Sequence, residues 1–124
     1  MNLSGYFENT EGTGILATAD SNGNVDIALY ARPHAIDEQT VAFIMNEHLS
    51  YKNLTSNPKA AYLFLEEGTG YKGKRLYLTK IREDTDAELI TSMKRRKTEK
   101  YNDSDSKKHL VYFRVDKIRV LIGE

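Results

Sequence analysis

Apolar residues recur along much of this chain at every second position, the period of a half-buried β-strand. Thr13 to Asp20 places Ile15, Ala17 and Ala19 on one face and Leu16 and Thr18 on the other. Ser21-Asn22-Gly23-Asn24 is a turn signal, so the next run is expected to pair antiparallel with the first. That run, Val25 to Arg32, alternates Val25, Ile27, Leu29 and Ala31 with Asp26, Ala28, Tyr30 and Arg32, one face for the core and one mixed. Pro33 lacks a donor and ends the regular pairing, and Ile36-Asp37-Glu38-Gln39 reads as a turn. Val41 to Met45 and Lys59 to Leu65 are short apolar runs without alternation, which suits strands buried on both sides. Glu66 to Gly73 is a glycine-rich hairpin connection that matches no phosphate-loop pattern. Lys74 to Ile81 returns to alternation, with Leu76 and Leu78 set against Arg75, Tyr77 and Thr79.

Helical spacing marks two further stretches. Asn2 to Thr10 predicts a short helix, with Ser4 as cap and Leu3, Tyr6 and Phe7 as its apolar patch. Thr85-Asp86-Ala87-Glu88 has capping-box spacing, and Ala87, Leu89, Ile90 and Met93 form the apolar stripe of the one solid helix. It runs into Lys94-Arg95-Arg96-Lys97, where cations oppose the helix macrodipole, and a polar loop follows from Asn102 to Lys108. In the last segment Val111, Phe113 and Val115 share one face, but beyond Asp116-Lys117 the apolar positions Ile118, Val120 and Ile122 have the opposite parity. A bulge produces such a slip and bends a strand around a barrel corner. Six strands with hairpin-length connections predict a small, mainly β antiparallel barrel with peripheral α at its rim.

Composition narrows the function classes. At 124 residues the chain is one domain by size, and its 18 basic and 18 acidic side chains balance. No global field then draws in nucleic acid or a membrane surface, and the Lys94 to Lys97 cluster reads as a solvated helix end. Cysteine is absent, which removes thiolate chemistry and disulfides. With no run of roughly 20 apolar residues, the expectation is a cytoplasmic protein with no membrane partner. His34, His48 and His109 lack metal-ligand spacing, so no metal is expected, and His109 reads as structural.

The stretch from His48 to Pro58 holds most of the polar chemistry. It reads as a strand exit followed by a short helix with Ser50 as N-cap, closed by Asn57-Pro58. The residue types fit a plain capped surface helix. They also fit an anion site, because first-turn N–H groups lack helical partners and Lys52 adds charge.

Several pieces in order resemble the pyridoxamine phosphate oxidase-like, flavin-binding split-barrel family. They are Gly14-Ile15-Leu16-Ala17-Thr18-Ala19-Asp20 with Gly23, Ala28-Leu29-Tyr30-Ala31-Arg32-Pro33-His34, Ala42-Phe43-Ile44-Met45, Asn53-Leu54 with Asn57-Pro58, Ala60-Ala61-Tyr62-Leu63-Phe64, and Gly70-Tyr71-Lys72-Gly73-Lys74-Arg75-Leu76-Tyr77-Leu78. The resemblance implies a six-stranded antiparallel split β-barrel, a homodimer, and FMN in the groove between subunits. It implies that Ala28, Leu29, Tyr30, Ile44, Met45 and Asn46 border the isoalloxazine, and that Ser50, Lys52 and Asn53 face the phosphate and ribityl chain. Arg75 joins them, since family members often use an arginine from a neighbouring strand or subunit. Many relatives place a lysine immediately before the hydroxyl residue, where this chain has Leu49. The fuller basic set for substrate phosphate is absent, so pyridoxamine phosphate oxidation itself is not expected. What remains is an FMN-dependent oxidoreductase acting on a small molecule. A non-catalytic protein holding haem or a deazaflavin in the same groove, or a dimer that has lost its ligand, is the alternative.

Overall fold

The computed structural model describes residues 2–93 and 108–123; Lys94-Arg95-Arg96-Lys97 and all but the last residue of the Asn102 to Lys108 loop lie outside the described residues. After α1 (Leu3–Asn9) comes β1 (Gly12–Ala19), and Asp20 builds the turn into β2 (Val25–Leu29). The Asp20 carboxylate accepts from the backbone N–H of Asn22 and Asn24, each at 2.9 Å, while Gly23 adopts φ 86°. A positive φ is open to glycine at no steric cost, which makes the turn. Hydrogen bonds from the Asn24 side chain and backbone hold the Asp20 carboxyl below its ordinary range.

The chain continues through β3 (His34–Asp37), β4 (Thr40–Asn46), α2 (Leu49–Ser56), β5 (Lys59–Glu66), β6 (Gly73–Asp84), α3 (Ala87–Met93) and β7 (Lys108–Val120). The seven strands of the described residues form one antiparallel sheet in the order β2-β1-β5-β6-β7-β4-β3. The edge strands β2 and β3 do not pair with each other, so the barrel stays split. One more strand is present than the alternation predicts. β2 ends at Leu29, and the residues after Pro33 pair as β3, with His34 opposite Ala42 and Ala35 opposite Val41. Proline removes only its own donor and is tolerated next to an edge strand.

The predicted bulge is present: Tyr77 pairs with Lys117 but Leu78 with Val115, leaving Asp116 as the extra residue. Two caps differ from expectation. Asn2, not Ser4, caps α1 by accepting from the Gly5 N–H at 2.9 Å, and Asp86, not Thr85, caps α3 by accepting from Glu88 and Leu89 N–H at 3.0 and 3.2 Å. In each case the chosen oxygen is the one within reach of the second or third helical amide. No described helix is long and apolar enough to cross a membrane.

Leu16 from β1, Tyr62 and Phe64 from β5, Leu76 and Leu78 from β6, Val111 and Phe113 from β7, and Val41, Phe43 and Met45 from β4 fill the interior. Leu3 and Phe7 of α1 and Leu54 of α2 close it. The aromatic rings meet edge to face, Phe7 with Phe64 at 5.5 Å and Phe43 with Phe113 at 5.8 Å. A second cluster lies on the other face of β4 and β7, where Ala42, Leu110 and Tyr112 pack against Ile90 of α3. This explains why β4 is apolar on both sides.

The outer face of β2 departs from expectation. Val25, Ile27 and Leu29 are 81%, 70% and 74% exposed, while Asp26, Ala28 and Tyr30 lean inward. The β1 register dictates this, because Ala19, Ala17 and Ile15 face outward and pair with Val25, Ile27 and Leu29.

Gly14 leaves room for the Tyr62 hydroxyl, which donates toward the carbonyls of Tyr30 and Ala31 at 3.1 and 3.2 Å; a Cβ at Gly14 would lie 1.8 Å from that oxygen. Gly14→Ala is therefore expected to destabilise the fold by about 1–3 kcal/mol in urea unfolding, and adding Tyr62→Phe should recover part of the loss. Full additivity of the two substitutions would show that the hydroxyl is not the obstruction.

Candidate functional site

The inward positions of β1 and β2 turn polar near the turn that joins them. Thr18 and Asp26 pair across the strands, and α2 covers them with its own polar face. Asn53 is buried and donates through Nδ2 to Thr18 Oγ1 at 3.0 Å. Ser50 is also buried; its Oγ lies 3.4 Å from Asp26 Oδ2 and is hydrogen-bonded to the Tyr30 hydroxyl. Burial pushes the Tyr30 hydroxyl up, the Ser50 hydrogen bond partly offsets this, and the Asp26 charge adds to it. Five polar side chains are thus engaged beneath α2, Asn53 with Thr18, and Ser50 with Asp26 and Tyr30.

The residue at the N-cap of α2 is His48 rather than Ser50, and its side chain makes no capping hydrogen bond. Lys52 N–H reaches back to the His48 carbonyl at 3.0 Å. The N–H groups of Leu49, Ser50 and Tyr51 precede the first helical bond and, among the described residues, have no side-chain acceptor. Lys52 is exposed on the same turn, and Leu49 beside it is 55% exposed.

The ten residues marked in the sequence separate into groups. Ala28, Tyr30, Ser50, Lys52 and Asn53 gather around α2 and the inward side of β2, while Leu29 faces outward from the same strand. Met45 is fully buried in the barrel interior, and Ile44, one residue away, packs against the α3 cluster on the opposite face. Asn46 accepts from Lys108 Nζ at 3.1 Å. Arg75 stands elsewhere: its Nε and Nη2 donate to the carbonyls of Val120 and Gly123 at 2.8 and 2.7 Å. The row Leu29, Ile15, Leu63, Arg75 crosses three strand spacings, about 14 Å at the usual spacing. Arg75 and the α2 residues do not meet within one chain.

Two features escaped the sequence. Asp26 was legible only as a polar position in an alternating strand, and pairing with Thr18 is what sets it against Ser50. A second polar group joins Glu47, Tyr51, Lys80, Glu83 and His109, whose numbers share no local spacing and meet only through the sheet register. Among the described residues, no three His, Asp or Glu side chains converge as metal ligands.

The sequence profile of the family described as pyridoxamine 5'-phosphate oxidase matches residues 6–121. An FMN-binding protein from Syntrophomonas wolfei superposes with a TM-score of 0.78 at 19% identity, over 99% of this chain and 86% of that one. HupZ of Group A Streptococcus gives 0.73 at 18% identity, over 96% and 90%. An F420 reductase gives 0.69 at 13% identity, over 87% and 89%. At these identities the likeness is one of fold. No curated protein matches the chain.

Removing the Asn53 amide leaves the buried Thr18 hydroxyl without its donor. Asn53→Ala is expected to cost about 1–3 kcal/mol in denaturant unfolding, and less in a Thr18→Val background. Equal costs in both backgrounds would show that the pair is not coupled.

Proposed function

Because the chain belongs to the pyridoxamine 5'-phosphate oxidase family, we propose that it binds FMN in a groove between two copies of itself and acts there as an oxidoreductase on a small molecule. The observation that carries this reading is that one chain presents both an uncapped, lysine-bearing first turn of α2 and an exposed apolar face on β2. A flavin phosphate needs N–H donors and positive charge, and the Leu49, Ser50 and Tyr51 amides with Lys52 offer both. Ser50 and Asn53 act one step back, fixing the turn from beneath through Asp26, Tyr30 and Thr18.

The second copy belongs to the same reading. Val25, Ile27 and Leu29 with Ile15, Ala17 and Leu63 make a contiguous apolar surface, and such surfaces mark association sites. Docked face to face, two copies exclude water from the groove beside α2. Leu29 then borders the ring system, and Arg75 reaches the site only from the other copy. When bound, the flavin supplies hydride or electron transfer, and the protein supplies orientation and electrostatics. The same reading places the dimer in the cytoplasm.

Leu49 in the lysine position of many relatives and the Asp26 carboxylate beside Ser50 both weaken an anion site. They favour, as a second reading, a non-catalytic role in which the groove holds haem or a deazaflavin largely through apolar contact.

Adding FMN is expected to change the flavin fluorescence and raise the melting temperature, as any ligand of the native state must. Lys52→Ala should weaken FMN by about tenfold and leave riboflavin unaffected. A flat response to FMN with a Soret shift on haem titration would select the second reading. In light scattering the protein should be a dimer, and Ile27→Glu should give a folded monomer without FMN affinity. A wild-type monomer at micromolar concentration would contradict the shared groove.

A further inference from the structure

His109, on β7, is almost completely buried, yet a carboxylate oxygen approaches each of its ring nitrogens. Glu47 Oε2 lies 2.6 Å from Nε2 and Glu83 Oε1 lies 2.8 Å from Nδ1. The first contact is an in-line hydrogen bond. The second is close but not aligned as a hydrogen bond. The Tyr51 ring stacks on the imidazole with centroids 4.2 Å apart and planes 20° apart. Tyr51 Oη donates to Glu83 Oε1 at 2.7 Å, and Lys80 Nζ donates to Glu83 Oε2 at 2.7 Å while lying 5.5 Å from the Tyr51 ring.

We propose that His109 is a proton-dependent clasp: as the imidazolium it joins Glu47, ahead of α2, to Glu83 on β6, and so fixes the first turn of α2 on the sheet. A neutral imidazole carries one ring proton and presents a lone pair at its other nitrogen. Here that lone pair would face a carboxylate within 3 Å. The charge sum agrees, since two carboxylates and one ammonium balance only when the ring is charged. Among the described residues, the titratable groups facing the ring are Glu47 from the β4–α2 connection, Tyr51 from α2, and Lys80 and Glu83 from β6. On β4 its cross-strand partner is Met45, and the adjacent Asn46 is occupied by Lys108.

Glu83 and Tyr51 hold their charge states around neutral pH. Burial alone would raise the Glu83 carboxyl, but hydrogen bonds from Lys80 and Tyr51 and the charges of Lys80 and His109 together hold it below its ordinary range. It stays ionised until the pH falls below that range. Burial, with the Glu83 hydrogen bond and the charges of Glu83 and Glu47, pushes the Tyr51 hydroxyl up to about 12, so it remains a donor. Of these side-chain types, the imidazole is the one that ordinarily changes charge near neutral pH. The imidazolium contacts stabilise the docked turn at lower pH and are lost as the pH rises. The clasp rests on this geometry and does not require the flavin reading.

Amide hydrogen exchange on the ligand-free protein tests it. Lys52 N–H bonds the His48 carbonyl, and the next amides of α2, Asn53 and Leu54, report the same turn. After correction for intrinsic rates, their protection at about pH 6 is expected to exceed that at about pH 9 by about tenfold, while β5 amides stay unchanged. Glu47→Gln should lower α2 protection at the lower pH and remove its pH dependence; Glu47 is half exposed, so this variant should fold. Equal wild-type protection at both pH values would overturn the clasp. So would a Glu47→Gln variant that keeps the wild-type drop, or a loss that spreads equally to β5.

Discussion

The pairing register of β1 between β2 and β5 is the constraint on which the rest of this molecule depends. A strand alternates its side chains, so a shift by one residue would exchange its faces. With Leu16 opposite Tyr62 and Ala28, the interior receives Leu16, Tyr62 and Leu76 along one row, and Phe64 two residues further along β5. The same register turns Ile15, Ala17, Leu63, Ile27 and Leu29 outward. Near the β1–β2 turn it places Thr18 and Asp26 inward, where α2 must cover them with polar groups. One alternation thereby sets the core, an exposed apolar face and the polar floor of α2.

Much of this was legible in the residues. Strand positions, the two-sided run Val41 to Met45 and the bulge at Asp116 follow from the spacing of apolar residues, whereas Lys59 to Leu65 is buried only on its Tyr62 and Phe64 face, with Leu63 turned outward. The ordered pieces from Gly14 to Leu78 resemble the family the chain belongs to. β3 was not legible, because Pro33 and the turn Ile36-Asp37-Glu38-Gln39 read as a connection, and only its partner β4 defines it as a strand. The orientation of β2 was missed for a related reason. Its more apolar face is the natural choice for a core, yet the core already takes the other parity from β1.

The site shows the same division. Residue types around His48 to Pro58 indicated a helix start suited to an anion, and α2 does begin there, with His48 in the capping place. Which side chains are available was not readable. Ser50 and Asn53 face inward and are engaged by Asp26, Tyr30 and Thr18, Met45 is sealed in the interior, and Arg75 is tied to the carbonyls of Val120 and Gly123. His109, read as a plain structural residue, meets two carboxylates from distant segments. Burial and register are tertiary facts, and short spacings do not carry them.

The proposed groove needs both an apolar face and an open helix start, and each is half a site in one chain. The most direct measurement is native mass spectrometry of the purified protein after incubation with FMN and removal of excess. The account predicts a species of two chains carrying bound FMN. A single chain, or a dimer that never retains FMN, would contradict it.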